Sequence, residues 1–186
     1  AYINFWDSLD KDTNLWRNHK LPETEVIDVQ EFEAEEVRAM YEMARQQQEI
    51  WGPWLYHVLW IGAHTGARAG AIRELKYNRK KKEKKDLTIP AHPAIRASLE
   101  YWEDNRKAVQ TISNKFKLLK RIRGWGREHV FHSFRHTLVT ALENVECPEN
   151  VAMDITGHKK KGITYGIYGH GSSIELMRKY LDQVRF

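Results

Sequence analysis

Cysteine is all but absent: Cys147 stands alone among 186 residues. That excludes an internal disulfide framework and a cysteine-rich zinc module. A reducing cytosol is the default compartment for such a chain. Long apolar runs are lacking as well, and none approaches the ~18 residues that a membrane span needs. The first residues, Tyr2 to Phe5, show no basic region leading into an apolar stretch and a small-residue cleavage site, so no signal peptide is expected. Internal repeats are also missing. What is present is 41% hydrophobic and 30% charged, which excludes a disordered tail. The length suits one ordinary domain, with at most a short appendage and a single sizeable core.

The net charge of +5 conceals a polarity along the chain. Residues 1–50 carry 5 Lys/Arg against 12 Asp/Glu, whereas residues 51–186 carry 25 against 13. A strongly basic body behind an acidic first segment suggests a polyanionic partner for the body. A solubilising surface explains the same balance equally well on charge alone.

Periodicity supplies the organisation. Leu21-Pro22 reads as a boundary, and Thr24 to about Gln48 reads as an acidic helix with Val37, Met40, Tyr41 and Ala44 at helical spacing. Its glutamates at 31, 33, 35 and 36 fall before or within the first turns, where the helix dipole favours them. Ile50 to His64 is apolar all round, as in a buried helix, with Pro53 in its first turn. Thr65-Gly66 ends that helix, and a short one follows from Ala67 to Leu75. Residues 76–86 form a lysine-laden connection, and Leu87-Thr88-Ile89 reads as a brief strand stopped by Pro90. Further helices are expected from near Pro93 (Ile95, Leu99, Trp102), from Ser113 as a cap with Phe116, Leu119 and Ile122 inward, and from Ser133 (Phe134, Leu138, Leu142). Two more run from Pro148 to Gly157 and from Ile174 to Val184.

Four features carry chemistry. Thr65-Gly66-Ala67-Arg68 puts an arginine on the turn after the buried helix, where a guanidinium can grip a phosphate through paired hydrogen bonds. His132-Ser133-Phe134-Arg135-His136 places His132 and Arg135 on one side of a helix start, with Phe134 and Leu138 on the core side. His132 and His136 have the spacing of a metal pair. Zinc would require a third protein ligand, and the intervening arginine repels a cation, so phosphate binding is favoured and no metal is expected. Gly157-His158 fits a helix C-terminal cap that turns the histidine away from the core. Tyr165 and Tyr168 lie among Gly162, Gly166, Gly169 and Gly171. Each feature alone is compatible with a bland role in a turn, a surface or a loop.

In this order and spacing, Arg68, His132-x-x-Arg135, Gly157-His158 and Tyr168 resemble the tyrosine recombinase (phage integrase) family. "HSFRHT" at 132–137 is the most specific stretch, and "TGAR" at 65–68 and "ITGHKKKGITYGIYG" at 155–169 match the first and last boxes. The resemblance covers roughly residues 50–186. It implies a mainly α catalytic domain with a small antiparallel β-sheet over 49–186, preceded by an acidic segment or linker over 1–48. The family's separate core-binding domain is absent or reduced to that acidic segment, so the chain is expected to be a catalytic fragment that binds DNA weakly alone. Only eleven residues, 76–86, separate Leu75 from Leu87, with Tyr77 the sole large apolar one. Two strands and a turn do not fit there. The sheet is therefore expected to be abbreviated, or a stretch near Tyr77-Asn78 to be missing from the chain. The acidic residue that the family often has three after its first arginine is Ala71 here, with Glu74 a candidate substitute.

The resemblance implies that Tyr168 attacks one DNA strand, leaving a 3′-phosphotyrosine and a free 5′-hydroxyl. Tyr168 lies ten residues after His158 and Tyr165 only seven, and the family spacing of about nine favours Tyr168. Arg68 and Arg135 would clamp the non-bridging oxygens, with His158 adding a donor. His132 would orient the phosphate or accept the tyrosine proton. Lys82, the register favoured by Thr88-Ile89-Pro90, would protonate the leaving oxygen. Its neighbours Lys80, Lys81, Lys84 and Lys85 are the competing candidates. Two arginines supply the cationic stabilisation that metals supply elsewhere, so no cofactor is required.

The partner is then double-stranded DNA at a recombination site, bound by a tetramer that can be a monomer when free. The protein would be cytoplasmic and DNA-associated, of bacterial or phage derivation. Lys80, Lys81, Lys84, Lys85, Lys120, Arg121, Arg123, Arg127, Lys159 and Lys160 would contact the phosphate backbone, alongside Lys115 and Lys117. Two alternatives share much of this sequence logic. One is a type IB topoisomerase-like enzyme that relaxes any supercoiled DNA. The other is a non-catalytic basic DNA-binding module.

Overall fold

The computed structural model describes residues 28–77, 89–158 and 171–186. Within them the chain forms α1 (Ala34–Gln46), α2 (Gln48–Trp51), α3 (Leu55–Thr65), α4 (Ala69–Glu74), a 3-10 turn (Pro93–Ile95), α5 (Arg96–Asp104), α6 (Val109–Arg123), α7 (Ser133–Asn144), α8 (Glu149–Thr156) and α9 (Ile174–Leu181). No strand occurs among the described residues, which corrects the expected small antiparallel sheet. Ile89 is irregular backbone packed against the C-terminal part of the core, and Pro90 after it offers no N–H to a ladder. The remainder of that lysine-rich connection lies outside the described residues. No helix among the described residues is long and apolar enough to cross a membrane.

The hub is α3, which packs against α1, α4, α5, α6 and α7. Its all-round apolarity is matched by burial of Leu55, Val58, Leu59, Ile61 and Ala63. One core cluster joins Phe32, Val37, Met40 and Ala44 to Trp51, Leu59, Trp102, Ile112, Phe116 and Phe134. A second joins Leu138 and Leu142 to Val151, Ile155, Met177, Leu181 and Val184. Thus α7 serves both, with Phe134 in one cluster and Leu138 and Leu142 in the other. The second half of the acidic segment is built into the first cluster through α1.

The expected helix from Thr24 begins later. Residues 28–33 are not helical, because their polar groups are committed elsewhere. The Gln30 N–H donates to Glu128 O at 3.0 Å and the Phe32 N–H to Thr137 Oγ1 at 2.8 Å. The Phe32 ring meanwhile sits among Phe116, Trp125, His129 and Phe134. The helix then starts at Glu33, whose N–H donates to the Glu36 carboxylate at 2.9 Å in a capping-box arrangement.

The expected continuous helix over 50–64 is interrupted. Gly52 adopts φ +82°, and a Cβ there would stand 2.7 Å from the Trp54 indole nitrogen. Only glycine turns α2 into α3 at that point. Pro53 accordingly lies in the turn before α3 rather than inside it.

Two expectations for α6 also change. Ser113 lies inside the helix, which starts after Ala108, since burial of Ile112 extends it N-terminally. Ile122 is 59% exposed, roughly a quarter-turn off the buried line of Ile112, Phe116 and Leu119.

Candidate active site

The site is assembled where the turn after α3 meets the start of α7. Gly66 ends α3 at φ +60°. A Cβ on it would lie 3.3 Å from both Arg135 Cα and Leu138 Cδ2, so the turn rests directly on the first coil of α7. Thr65 secures the turn: its hydroxyl donates to Ile61 O at 2.6 Å and accepts the Ala67 N–H at 3.2 Å. The chain then delivers an exposed Arg68 as the N-cap residue of α4.

His132 occupies the corresponding N-cap position of α7, and Ser133 Oγ accepts the Val130 N–H at 3.1 Å to close the approach. Arg135 follows within the first turn, half-buried. At the far side α8 ends at Gly157, where the His158 N–H donates back to Met153 O at 2.9 Å. That places the exposed His158 ring against Arg135, whose Nε–H donates to His158 Nε2 at 3.1 Å. His158 Nδ1 lies 2.9 Å from Thr156 Oγ1, and the Thr156 hydroxyl donates to Ala152 O at 2.7 Å.

Electrostatically the cluster is one-sided. Burial lowers the pKa of His132, and the charges of Arg68, His136, Arg135 and His158 lower it further. The Arg135 guanidinium is pushed down by burial and then by Arg68. His158 is lowered by burial, then by Arg135, His136 and Arg68. The neighbouring charges acting on these three groups all have the same sign, so the cluster favours an anion between its members. The positive end of the α7 dipole adds to this. The buried Nδ1 of His132 has no hydrogen-bond partner among the described residues. Its ring stands edge-to-face with His136, centroids 5.5 Å apart.

Of the expected site residues, Arg68, His132, Arg135 and His158 come together. Lys80, Lys81, Lys82, Lys84, Lys85, Lys159, Lys160, Tyr165 and Tyr168 lie outside the described residues. Lys120 is half-buried and donates to His129 O at 2.7 Å. Lys115 donates to Ile50 O at 2.8 Å. Arg121, Arg123 and Arg127 are exposed, with Arg123 over the Trp125 ring at 5.4 Å. Glu74 pairs with its neighbour Arg73 at 3.7 Å, both exposed.

Two residues of the site were not singled out as part of it from the sequence. By spacing His136 reads only as half of a metal pair, yet its ring stands against that of His132 and it bears electrostatically on both His132 and His158. Thr156 carried no signal beyond standing two residues before His158. Among the described residues no group of three His, Cys, Asp or Glu side chains could hold a metal ion.

No curated protein and no solved structure matches the chain. The phage integrase family does match, over residues 30–173. That span includes α1 and the stretches that carry Arg68, His132, Arg135 and His158. The chain therefore belongs to the phage integrase family, the tyrosine recombinases, which act on DNA in recombination and integration.

Proposed function

We propose that this chain carries the catalytic domain of a site-specific recombinase that cleaves and rejoins DNA through a 3′-phosphotyrosine, with α1 joined to the expected span of 49–186 through the shared core. The observation that carries the reading is the gathering of Arg68, His132, Arg135 and His158 around the start of α7, with a buried His132 nitrogen lacking a partner among the described residues. A phosphodiester repels nucleophiles, and its non-bridging oxygens gain charge as a fifth oxygen approaches phosphorus. The guanidinium groups of Arg68 and Arg135 neutralise that charge in a half-buried site, where fixed donors act more strongly than in water.

Tyr168 attacks phosphorus, its O–P bond forms, and the bond to the 5′-oxygen breaks. His132, neutral because burial and the neighbouring guanidinium charges of Arg68 and Arg135 disfavour its protonation, takes the phenol proton. Lys82 gives a proton to the leaving 5′-oxygen. The phosphotyrosine retains the bond energy, so religation to another strand needs no nucleotide cofactor. Arg121, Arg123 and Arg127, with the lysines of 80–85, 120, 159 and 160, hold the phosphate backbone. This reading makes the partner a duplex recombination site bound by a tetramer, in the cytoplasm of a bacterium or of a phage host.

The test is a selection from a pool of nicked duplexes of varied sequence for protein–DNA complexes that survive denaturant. A recombinase yields a tyrosine-linked adduct on a restricted set of sequences. Absence of any adduct refutes catalysis and leaves a basic binding module. Relaxation of any supercoiled plasmid regardless of sequence assigns a topoisomerase activity instead.

A further inference from the structure

We propose that Thr156 is a positioning residue of this site: its hydroxyl holds His158 as the Nδ1–H tautomer and, through it, fixes the guanidinium of Arg135. The proton inventory closes from both ends. Thr156 has one hydroxyl proton and donates it to Ala152 O at 2.7 Å. Its lone pairs therefore face His158 Nδ1, 2.9 Å away, and that nitrogen must carry hydrogen. On the opposite edge of the ring, Nε2 faces the Nε–H of Arg135 at 3.1 Å. A guanidinium only donates, so Nε2 must be bare. Both contacts demand the same neutral tautomer.

The threonine is well suited to the task. It is the last residue of α8 and buried, and its rotamer is set by a carbonyl of its own helix. The consequence falls on Arg135. Its Nε–H is tied sideways to His158, which orients the guanidinium plane. Its Nη groups have no hydrogen bond among the described residues and remain free for two phosphate oxygens. A valine at 156 has nearly the same shape but removes the fixed acceptor of the Nδ1–H. The ring can then adopt the Nε2–H form, which sets one donor against another at Arg135.

The inference rests on the reading of Arg135 and His158 as phosphate-holding residues, and its test separates the two. The full chain, its histidines labelled with 15N, is compared with Thr156→Val and Thr156→Ser by two-bond nitrogen–proton NMR of His158 without DNA. Adduct formation on a nicked duplex is measured in parallel. The wild type should show Nδ1–H, and Thr156→Val should shift toward Nε2–H. Misplacing an active-site group costs up to about 100-fold, and a slowing of about tenfold is expected here. Thr156→Ser should restore both readouts. An Nε2–H wild type, or a Thr156→Val protein that keeps the wild-type tautomer and rate, overturns the proposal. If the wild type forms no adduct, the functional reading fails, while the tautomers of the wild type and the serine variant still decide the role of Thr156.

Discussion

Gly66 and Arg135 meet with almost no room between them: a Cβ on Gly66 would stand 3.3 Å from the Arg135 Cα and 3.4 Å from its Cγ. This contact joins the turn that carries Arg68 to the helix that carries Arg135. At φ +60° a side chain is also disfavoured by the backbone itself. Gly66→Ala should therefore cost about 1–3 kcal/mol of stability, the usual penalty for forcing a non-glycine residue into such a conformation. Adduct formation should fall in the same variant because the two arginines are pushed apart. Urea denaturation and a gel assay read the two effects separately.

Arg68 adds to an already positive cluster, and its removal relieves repulsion. Arg68→Ala should leave thermal stability unchanged or slightly raised. It should lift the pKa of His132 part of the way back, because burial, the larger cause, remains. Adduct formation should fall about 100-fold, as when one preorganised donor to a developing charge is deleted. A drop in melting temperature, or an unmoved His132 titration by NMR, contradicts this account.

The two candidate tyrosines are separated by substitution. Tyr168→Phe should abolish the denaturant-resistant adduct while DNA binding persists, since only the nucleophilic oxygen is lost. Tyr165→Phe should retain cleavage. An adduct formed by the Tyr168→Phe protein would reassign the nucleophile.

Asp154 on α8 accepts both the backbone N–H and the hydroxyl of Ser172, each at 2.7 Å. Hydrogen bonds to a charged acceptor contribute about 1.5–3 kcal/mol, so Asp154→Ala should lower stability by roughly 2 kcal/mol. Because Ser172 follows Tyr168 by only four residues, cleavage should slow as well. Asp154→Asn keeps an acceptor oxygen and should recover part of the loss. Denaturation midpoints and adduct rates measured on the same preparations give the comparison.

Stability should decline in mild acid through His64. Burial pushes its pKa down to about 3, outweighing the hydrogen bond to Trp60 O, and the charges of His92 and Arg185 lower it further. Its ring is walled by Trp60, His92 and Phe186. The folded state thus holds His64 neutral where the unfolded chain binds a proton. The stabilisation is complete above the ordinary pKa near 6.5 and is lost progressively as pH falls from there toward 3. His57, lowered to about 4 by burial, acts in the same direction. Urea midpoints should be flat from pH 8 to 7 and fall below about 6. A midpoint that rises on acidification refutes the assignment.

The sequence displayed most of the helices and four residues that meet at the start of α7: Arg68, His132, Arg135 and His158. The spacing of Ile112, Phe116 and Leu119, and of Phe134, Leu138 and Leu142, marks faces that the structure buries. It displayed less well where helices start and stop. Phe32 reads as the body of a helix, yet its N–H belongs to Thr137 on another element. Ile122 reads as inward by its type, but the buried line of α6 passes a quarter-turn away. The strand expected at Leu87-Thr88-Ile89 rested on local β propensity; Ile89 is irregular backbone against the second apolar cluster, while Leu87 and Thr88 lie outside the described residues.

Local order in the chain determined which residue types stand at which spacing: an arginine after a helix-ending glycine, a histidine three before a second arginine, a histidine after another helix end. Those patterns depend only on the 3.6-residue repeat and on turn chemistry, which act between near neighbours. The tertiary structure alone decided that these segments meet. The packing of α3 against α7 sets Gly66 on Arg135, and the packing of α7 against α8 sets His158 on the same arginine. It also decided where a proton sits, because the His158 tautomer is fixed by Thr156 on one side and Arg135 on the other. No spacing rule reaches such a result: a hydrogen bond between residues 23 apart exists only once the helices between them are packed.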